Sequence, residues 1–146
     1  MRTKEFISKL DHDRIVEAIR EAEAKTSGEV RVYVQRGELK EDVLNVAQTR
    51  FHKLGMDKTD ARNGVLIFVA PRVHKFAVVG DEAIHKHCGN DLWGRVVAKM
   101  REHFRSERFS DAIVDAIRDI GEVLARYFPR EAGDRNELPD VVEGES

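Results

Sequence analysis

Acidic and amide side chains flank the most apolar part of this 146-residue chain. Two of them precede the apolar run Gly64–Ala70, two follow the shorter run Phe76–Val79, and one opens an earlier segment that alternates valine with polar residues. Oxygen ligands that converge from several loops are what a hard cation such as Ca²⁺ or Mg²⁺ requires. The candidate metal ligands are Glu29, Asp60, Asn63, Asp81 and Glu82.

Three predicted strands must position these side chains. Gly64–Ala70 is continuously apolar, which is typical of a strand buried on both faces. Pro71 then breaks the run, and Phe76–Val79 resumes it as an antiparallel strand. Glu29–Arg36 alternates strictly, which predicts a half-exposed strand nearer the edge of the sheet. A helical period over Leu39–Leu54 joins this strand to the central one, so we expect a right-handed parallel βαβ unit.

This topology predicts that the five candidates meet at one edge of the sheet. Parallel strands start at the same edge, and an antiparallel third strand ends there. The alternative is that these residues are solvated loop acids, or that they cap a short helix over Ala83–His87.

The remaining periodic segments predict covering helices. Asp11 is a plausible N-cap for the first helix, a second covers Leu92–Ser106, and Ser110 is the expected N-cap of a last helix that ends near Phe128. The predicted fold class is α/β, a three-layer α/β/α sandwich. Its small mixed sheet combines a parallel βαβ unit with an antiparallel hairpin, and the domain spans residues 1–128.

Charge and composition narrow the function classes. The formal net charge is −2. The acidic segment 129–146, which we expect to be a disordered tail, carries −4, and residues 1–128 carry +2. The nearly balanced remainder does not favour nucleic-acid binding. No apolar run reaches the roughly 20 residues of a membrane span, so we expect no direct membrane insertion. Neither a secretory leader nor a cysteine pair is apparent, and the lone Cys88 fits a cytoplasmic protein.

Motifs for other chemistries are weak. The glycines are isolated, so no nucleotide cofactor is expected, and no serine has a nucleophile-elbow context. His85 and Cys88 have helical spacing for one metal, but further ligands are not apparent. A metal-assisted phosphomonoesterase using the acidic cluster is a rival function, with Arg62 or Arg72 as the anion-binding partner.

Several short motifs in order resemble the TPM domain family, that of a plant thylakoid-lumen protein and its bacterial relatives. The resemblance covers about Leu10–Phe128. The motifs are Thr26-Ser-Gly-Glu29-Val-Arg-Val, Arg62-Asn-Gly-Val-Leu-Ile67, Lys75-Phe-Ala-Val-Val-Gly-Asp81, and Phe104 with Arg108-Phe109 before the last helix.

The resemblance implies a compact α/β sandwich, divalent-cation binding, acid phosphatase activity in some plant members, and roles in membrane-protein maintenance. Glu29 matches the family's Ser-Gly-Glu motif. Arg62 stands where many members have aspartate, with Asp60 as a substitute from two residues back, and Asp81 adds a carboxylate after Gly80.

We therefore expect a non-catalytic or weakly catalytic cytoplasmic accessory domain that binds Ca²⁺ or Mg²⁺. The implied partners are membrane-anchored TPM or LemA-like proteins. The alternatives are the metal-assisted phosphatase and a metal-free protein-interaction module.

Overall fold

The computed structural model describes residues 2–87, 90–130 and 142–144. In this part of the chain, helices flank a mixed sheet with the strand order β3-β2-β1-β4. The helices are α1 (Thr3–Ser8), α2 (His12–Glu23), α3 (Val43–Lys53), α4 (Glu82–His87), α5 (Asn90–Arg105) and α6 (Phe109–Tyr127). The strands are β1 (Glu29–Val34), β2 (Gly64–Ala70), β3 (Lys75–Gly80) and β4 (Val142–Gly144).

The central strand β2 makes the pairings that its apolar run predicts. It is parallel to β1, with Glu29 opposite Gly64, and antiparallel to β3, with Val65 opposite Gly80. All seven of its residues are buried. The βαβ unit and the hairpin are therefore confirmed.

Helices cover both faces of the sheet because successive strand residues point to opposite sides. Val65, Ile67 and Val69 of β2 belong to one core with residues of α2, α5 and α6. Leu66 and Phe68 belong to a second core with residues of α3 and of the 3-10 turn Met56–Lys58. The prediction of a three-layer sandwich is confirmed.

The expectation that β1 is half exposed is wrong, since all six of its residues are buried. Tyr33 stacks on Phe68 with ring centroids 5.9 Å apart, and the guanidinium of Arg50 on α3 lies 4.5 Å from the Tyr33 ring centre. Helix α3 thus covers the face on which the polar residues alternate, and Arg31 on this face is only 7% exposed.

Capping residues in the sequence predict most of the observed helix ends. Asp11 caps α2 by accepting a hydrogen bond from the Arg14 amide at 3.2 Å, as predicted. Gly55 ends the α3 region with a left-handed φ of 74°. Ser110 does not cap α6, which begins one residue earlier at Phe109. Its hydroxyl instead accepts a hydrogen bond from the Asp11 amide at 2.9 Å and so joins the starts of α2 and α6.

Part of the expected acidic tail pairs with the sheet. The backbone of Val142–Gly144 runs parallel to β1, with Val142 opposite Val32. This strand was not expected from a polar composition, because backbone pairing along an open strand edge needs no apolar period. Residues 131–141 and 145–146 of the predicted tail, and Cys88, lie outside the described residues. In the ranges described, no helix is both long and apolar enough to span a bilayer.

Candidate cation site at the sheet edge

The starts of β1 and β2 and the end of β3 lie side by side. Glu29 is opposite Gly64, and the Asp81 amide donates a hydrogen bond of 2.9 Å to the Gly64 carbonyl oxygen. Neighbouring strands are about 4.8 Å apart, so the backbones of Glu29 and Asp81 are about 10 Å apart across β2. The fold brings the chain positions of the predicted ligands to one edge, but their side chains take different directions.

Asp81 is paired with Arg62. The Arg62 Nε donates to Asp81 Oδ2 at 2.8 Å, and Nη2 donates to Oδ1 at 2.9 Å. Oδ1 also accepts a hydrogen bond from the Glu82 amide at 2.8 Å, at the start of α4. Two parallel bonds between guanidinium and carboxylate form the strongest kind of side-chain ion pair. The bond to Asp81, followed by its charge, raises the pKa of Arg62.

Arg62 is held for this pairing by its backbone. Its φ is +52°, a left-handed conformation that is uncommon for a residue with a side chain. Its carbonyl oxygen accepts a hydrogen bond from the Ala83 amide at 3.2 Å. The loop before β2 is thereby tied to the first turn of α4, next to Asp81.

Asn63 is buried against the loop that precedes β1. Its side chain is 1% exposed, and Nδ2 donates to the Ser27 hydroxyl at 3.1 Å. Its Oδ1 is buried without a hydrogen-bond partner.

Glu29 is buried at the start of β1. It is 3% exposed and alternates with Val30, whose side chain packs towards α2 and α6. Glu29 is thus on the side of Arg31 and Tyr33. In the part of the chain that the structure describes, Glu29 does not belong to any group of three or more His, Cys, Asp or Glu side chains arranged to hold a metal ion.

The last two predicted ligands are exposed. Asp60 lies in the loop before β2. Glu82 is 70% exposed, and its Oε1 lies 3.6 Å from Arg62 Nη1. Of the predicted residues, the structure brings together Arg62, Asp81 and Glu82. Over residues 2–87 and 90–130, it contains no group of three or more His, Cys, Asp or Glu side chains arranged to hold a metal ion.

Arg72 does not join this cluster. It is exposed in the turn that follows β2, whereas Arg62 precedes β2. A seven-residue strand is about 20 Å long. The two predicted anion-binding arginines therefore lie at opposite ends of the sheet and cannot hold the same anion.

Two hydroxyl residues, the partly buried Ser27 and the buried Thr59, were missing from the prediction. Ser27 fixes Asn63, and Thr59 is 5% exposed with an Oγ1 that has no hydrogen-bond partner. A signal for Ser27 exists in the sequence, since it precedes β1 by two residues just as Arg62 precedes β2. Residues before two parallel strands that start together become neighbours. Thr59 carries no comparable signal.

Comparison with known proteins adds two findings. A family model described as the TPM domain matches residues 1–123. The chain is also similar to the solved NMR structure of the BA42 protein from the psychrophilic bacterium Bizionia argentinensis. The two share 37% identity with a TM-score of 0.85, over 92% of each chain. A search of curated proteins finds no match.

Proposed function

This chain belongs to the TPM domain family, and from that premise we propose a non-catalytic accessory domain whose sheet edge exchanges a divalent cation with Arg62. In one state, the Arg62 guanidinium is bound to the Asp81 carboxylate. In the other state, Ca²⁺ or Mg²⁺ takes the same carboxylate and Arg62 turns to solvent.

The bidentate Arg62–Asp81 pair is the observation that supports this proposal. A carboxylate that is 5% exposed needs a positive partner, and a guanidinium and a metal ion compete for the same two oxygens. The Arg62 side chain is 39% exposed, so it can leave while Asp81 stays in place. The exchange is therefore a movement of one surface side chain.

Asp81 and Glu82 are the proposed ligands. Mg²⁺ is commonly bound by one or two protein carboxylates and keeps several water molecules, so a group of three acids is not needed. Glu82 is already within 3.6 Å of the Arg62 guanidinium. Asn63 donates to Ser27 in the loop before β1, so its proposed role is to support the site rather than to bind the ion. Glu29 is two strands away from Asp81 across β2 and is not a proposed ligand.

Binding is favoured over hydrolysis by the positions of the other groups. The described histidine–carboxylate pairs are His52 with Asp57 and His103 with Asp115, on or beside α3 and between α5 and α6. Neither includes a residue of the sheet edge. Arg72, a proposed phosphate partner of the rival phosphatase, lies at the far end of β2. We expect no metal-dependent turnover of a generic phosphomonoester.

Arg62→Gln tests the exchange. Removing the guanidinium leaves Asp81 without its competing cation, so we expect Mg²⁺ and Ca²⁺ to bind about tenfold more tightly than to the wild type. Thermal melts at increasing cation concentration measure this, because a ligand that binds the folded state raises the melting temperature. Arg72→Gln is the matched control, since it removes an exposed arginine from the other end of the sheet.

Asp81→Asn completes the test. This variant removes the carboxylate charge, so its melting temperature should not respond to either cation. A response that survives in Asp81→Asn would place the cation elsewhere. Equal responses in the wild type and in Arg62→Gln would show that Arg62 does not compete. If Arg62→Gln does not respond, the cation proposal fails and a metal-free interaction module becomes the better explanation.

The accessory role is the second part of the proposal. We propose that the chain works in membrane-protein maintenance, beside membrane-anchored TPM or LemA-like proteins, as its resemblance to the TPM family implies. The single cysteine is compatible with the cytoplasm. Purification of the tagged chain from detergent-solubilised cells should recover such a membrane protein. Recovery of the chain alone after mild cross-linking would contradict this role.

A further inference from the structure

A small cavity opens at the end of the sheet that is opposite Asp81. Its volume is about 90 Å³. It lies between α1, the turn that joins β2 to β3, and the junction of α5 with α6. The apolar lining is formed by Phe6, Val69, Pro71, Phe76, Phe104 and Phe109. The polar lining consists of His74 and Lys75.

Phenylalanine is concentrated around this cavity, which holds four of the seven in the chain. The ring centroids of Phe6 and Phe109 are 5.0 Å apart, and those of Phe76 and Phe104 are 5.2 Å apart. Phe76, Phe104 and Phe109 are only partly buried. Part of their apolar surface therefore stays available, although the rings pack against one another.

The size of the cavity limits its ligand. A dry apolar cavity of about 150 Å³ holds benzene. The space of about 90 Å³ is smaller than this, so a short branched aliphatic group fits it better than an aromatic ring. Water gains little there, because six of the eight lining residues are apolar.

The rim carries positive charge. Arg72, His74 and Lys75 are exposed around the turn, and the lining includes no acidic residue. The turn is well defined, since the His74 amide donates to the Pro71 carbonyl oxygen at 3.2 Å and His74 has a φ of +56°. A negative group at the mouth of the cavity would complement this rim.

From this combination we infer a binding site for a short branched-chain carboxylate. The aliphatic end lies among the phenylalanine rings, and the carboxylate lies against the Lys75 ammonium group. The site is about 20 Å from Asp81, at the other end of β2. It is independent of the proposed cation exchange.

A two-dimensional ¹H–¹⁵N NMR titration of the full chain tests the site, with 3-methylbutanoate as the probe. We expect the amide signals of residues 72–76 to shift, with a Kd in the millimolar range (about 1–10 mM) for so small a ligand. 3-Methylbutan-1-ol, which lacks the charge, should bind more weakly at the same signals, and acetate should not shift them.

Two variants separate the charge from the cavity. Lys75→Gln should weaken binding of the carboxylate about two- to fivefold without changing binding of the alcohol. Lys53→Gln, at an exposed position on α3, is the matched control and should change neither. Val69→Ile adds a methyl group to a side chain that lines the cavity, so it should abolish binding of both probes. An unchanged or higher melting temperature shows that this variant folds.

Three results would overturn the inference. The first is the absence of shifts around the cavity at about 50 mM 3-methylbutanoate, well above the expected Kd. The second is an equal response to acetate, which would reveal a general salt effect. The third is equal affinity for the carboxylate and the alcohol in both the wild type and Lys75→Gln, since the rim would then play no part.

Discussion

Replacing Phe68 by alanine is expected to cost about 3–5 kcal/mol of unfolding free energy. Phe68 lies at the centre of β2 and is fully buried, with its ring stacked on Tyr33 at an interplanar angle of 8°. Its removal leaves a cavity between the sheet and α3 that the surrounding strands cannot close. For a chain of this length, the melting temperature should fall by about 10–20 °C.

Denaturant unfolding of Phe68→Ala beside Leu44→Ala measures this cost. Leu44 lies on α3 but is 45% exposed, so its truncation should change stability by no more than about 0.5 kcal/mol. If the two variants lost similar stability, α3 would not seal this face of the sheet. That result would contradict the second core and the burial of β1 beneath α3.

The second large effect is expected for Gly121→Ala. A methyl group built on Gly121 would lie 2.7 Å from the Ala22 Cβ and 3.2 Å from its Cα. Because one of these atoms is backbone, α6 and α2 must move apart. Overpacking of this kind costs up to about 3 kcal/mol, which outweighs the gain of about 1 kcal/mol from better helix propensity. The net result should be a loss of about 2 kcal/mol.

Gly94→Ala provides a control with the opposite sign. Gly94 lies in α5, and a methyl group built there has no atom within 4 Å. The same chemical change should therefore stabilise the protein by about 0.5–1 kcal/mol. Thermal melts of both variants suffice for the comparison. Stabilisation by Gly121→Ala would contradict the close contact between α2 and α6.

The fold could be predicted where one local pattern determines the outcome. The apolar run Gly64–Ala70 identified the central strand, and the helical period of Leu39–Leu54 required a parallel crossover. The burial of β1 could not be predicted, because Arg31 and Tyr33 alternate like exposed residues. They become buried only when α3 packs across them.

The candidate site could also be predicted only in part. Its location at one sheet edge follows from strand directions, which the sequence contains. The prediction assigned Arg62 to an anion and Asp81 to a metal, whereas the two side chains bind each other, 19 residues apart in the sequence. Their pairing depends on the register of β2 and β3 and on the left-handed backbone of Arg62, and neither follows from residue type.

The contacts around the sheet edge join parts of the chain that are far apart in the sequence. Hydrogen bonds join the loop before β1 to the residue that follows α6. The Thr26 hydroxyl and the Ser27 amide both donate to the Phe128 carbonyl oxygen, the amide at 3.0 Å. Arg130 Nη1 donates to the carbonyl oxygen of Glu23, at the end of α2. These contacts join segments about 100 residues apart. Contacts of such separation form slowly, because a long chain loop must close first. Every candidate ligand lies between Glu29 and Glu82. During synthesis, however, the loop that holds Asn63 can form all of its contacts only after α6 has left the ribosome.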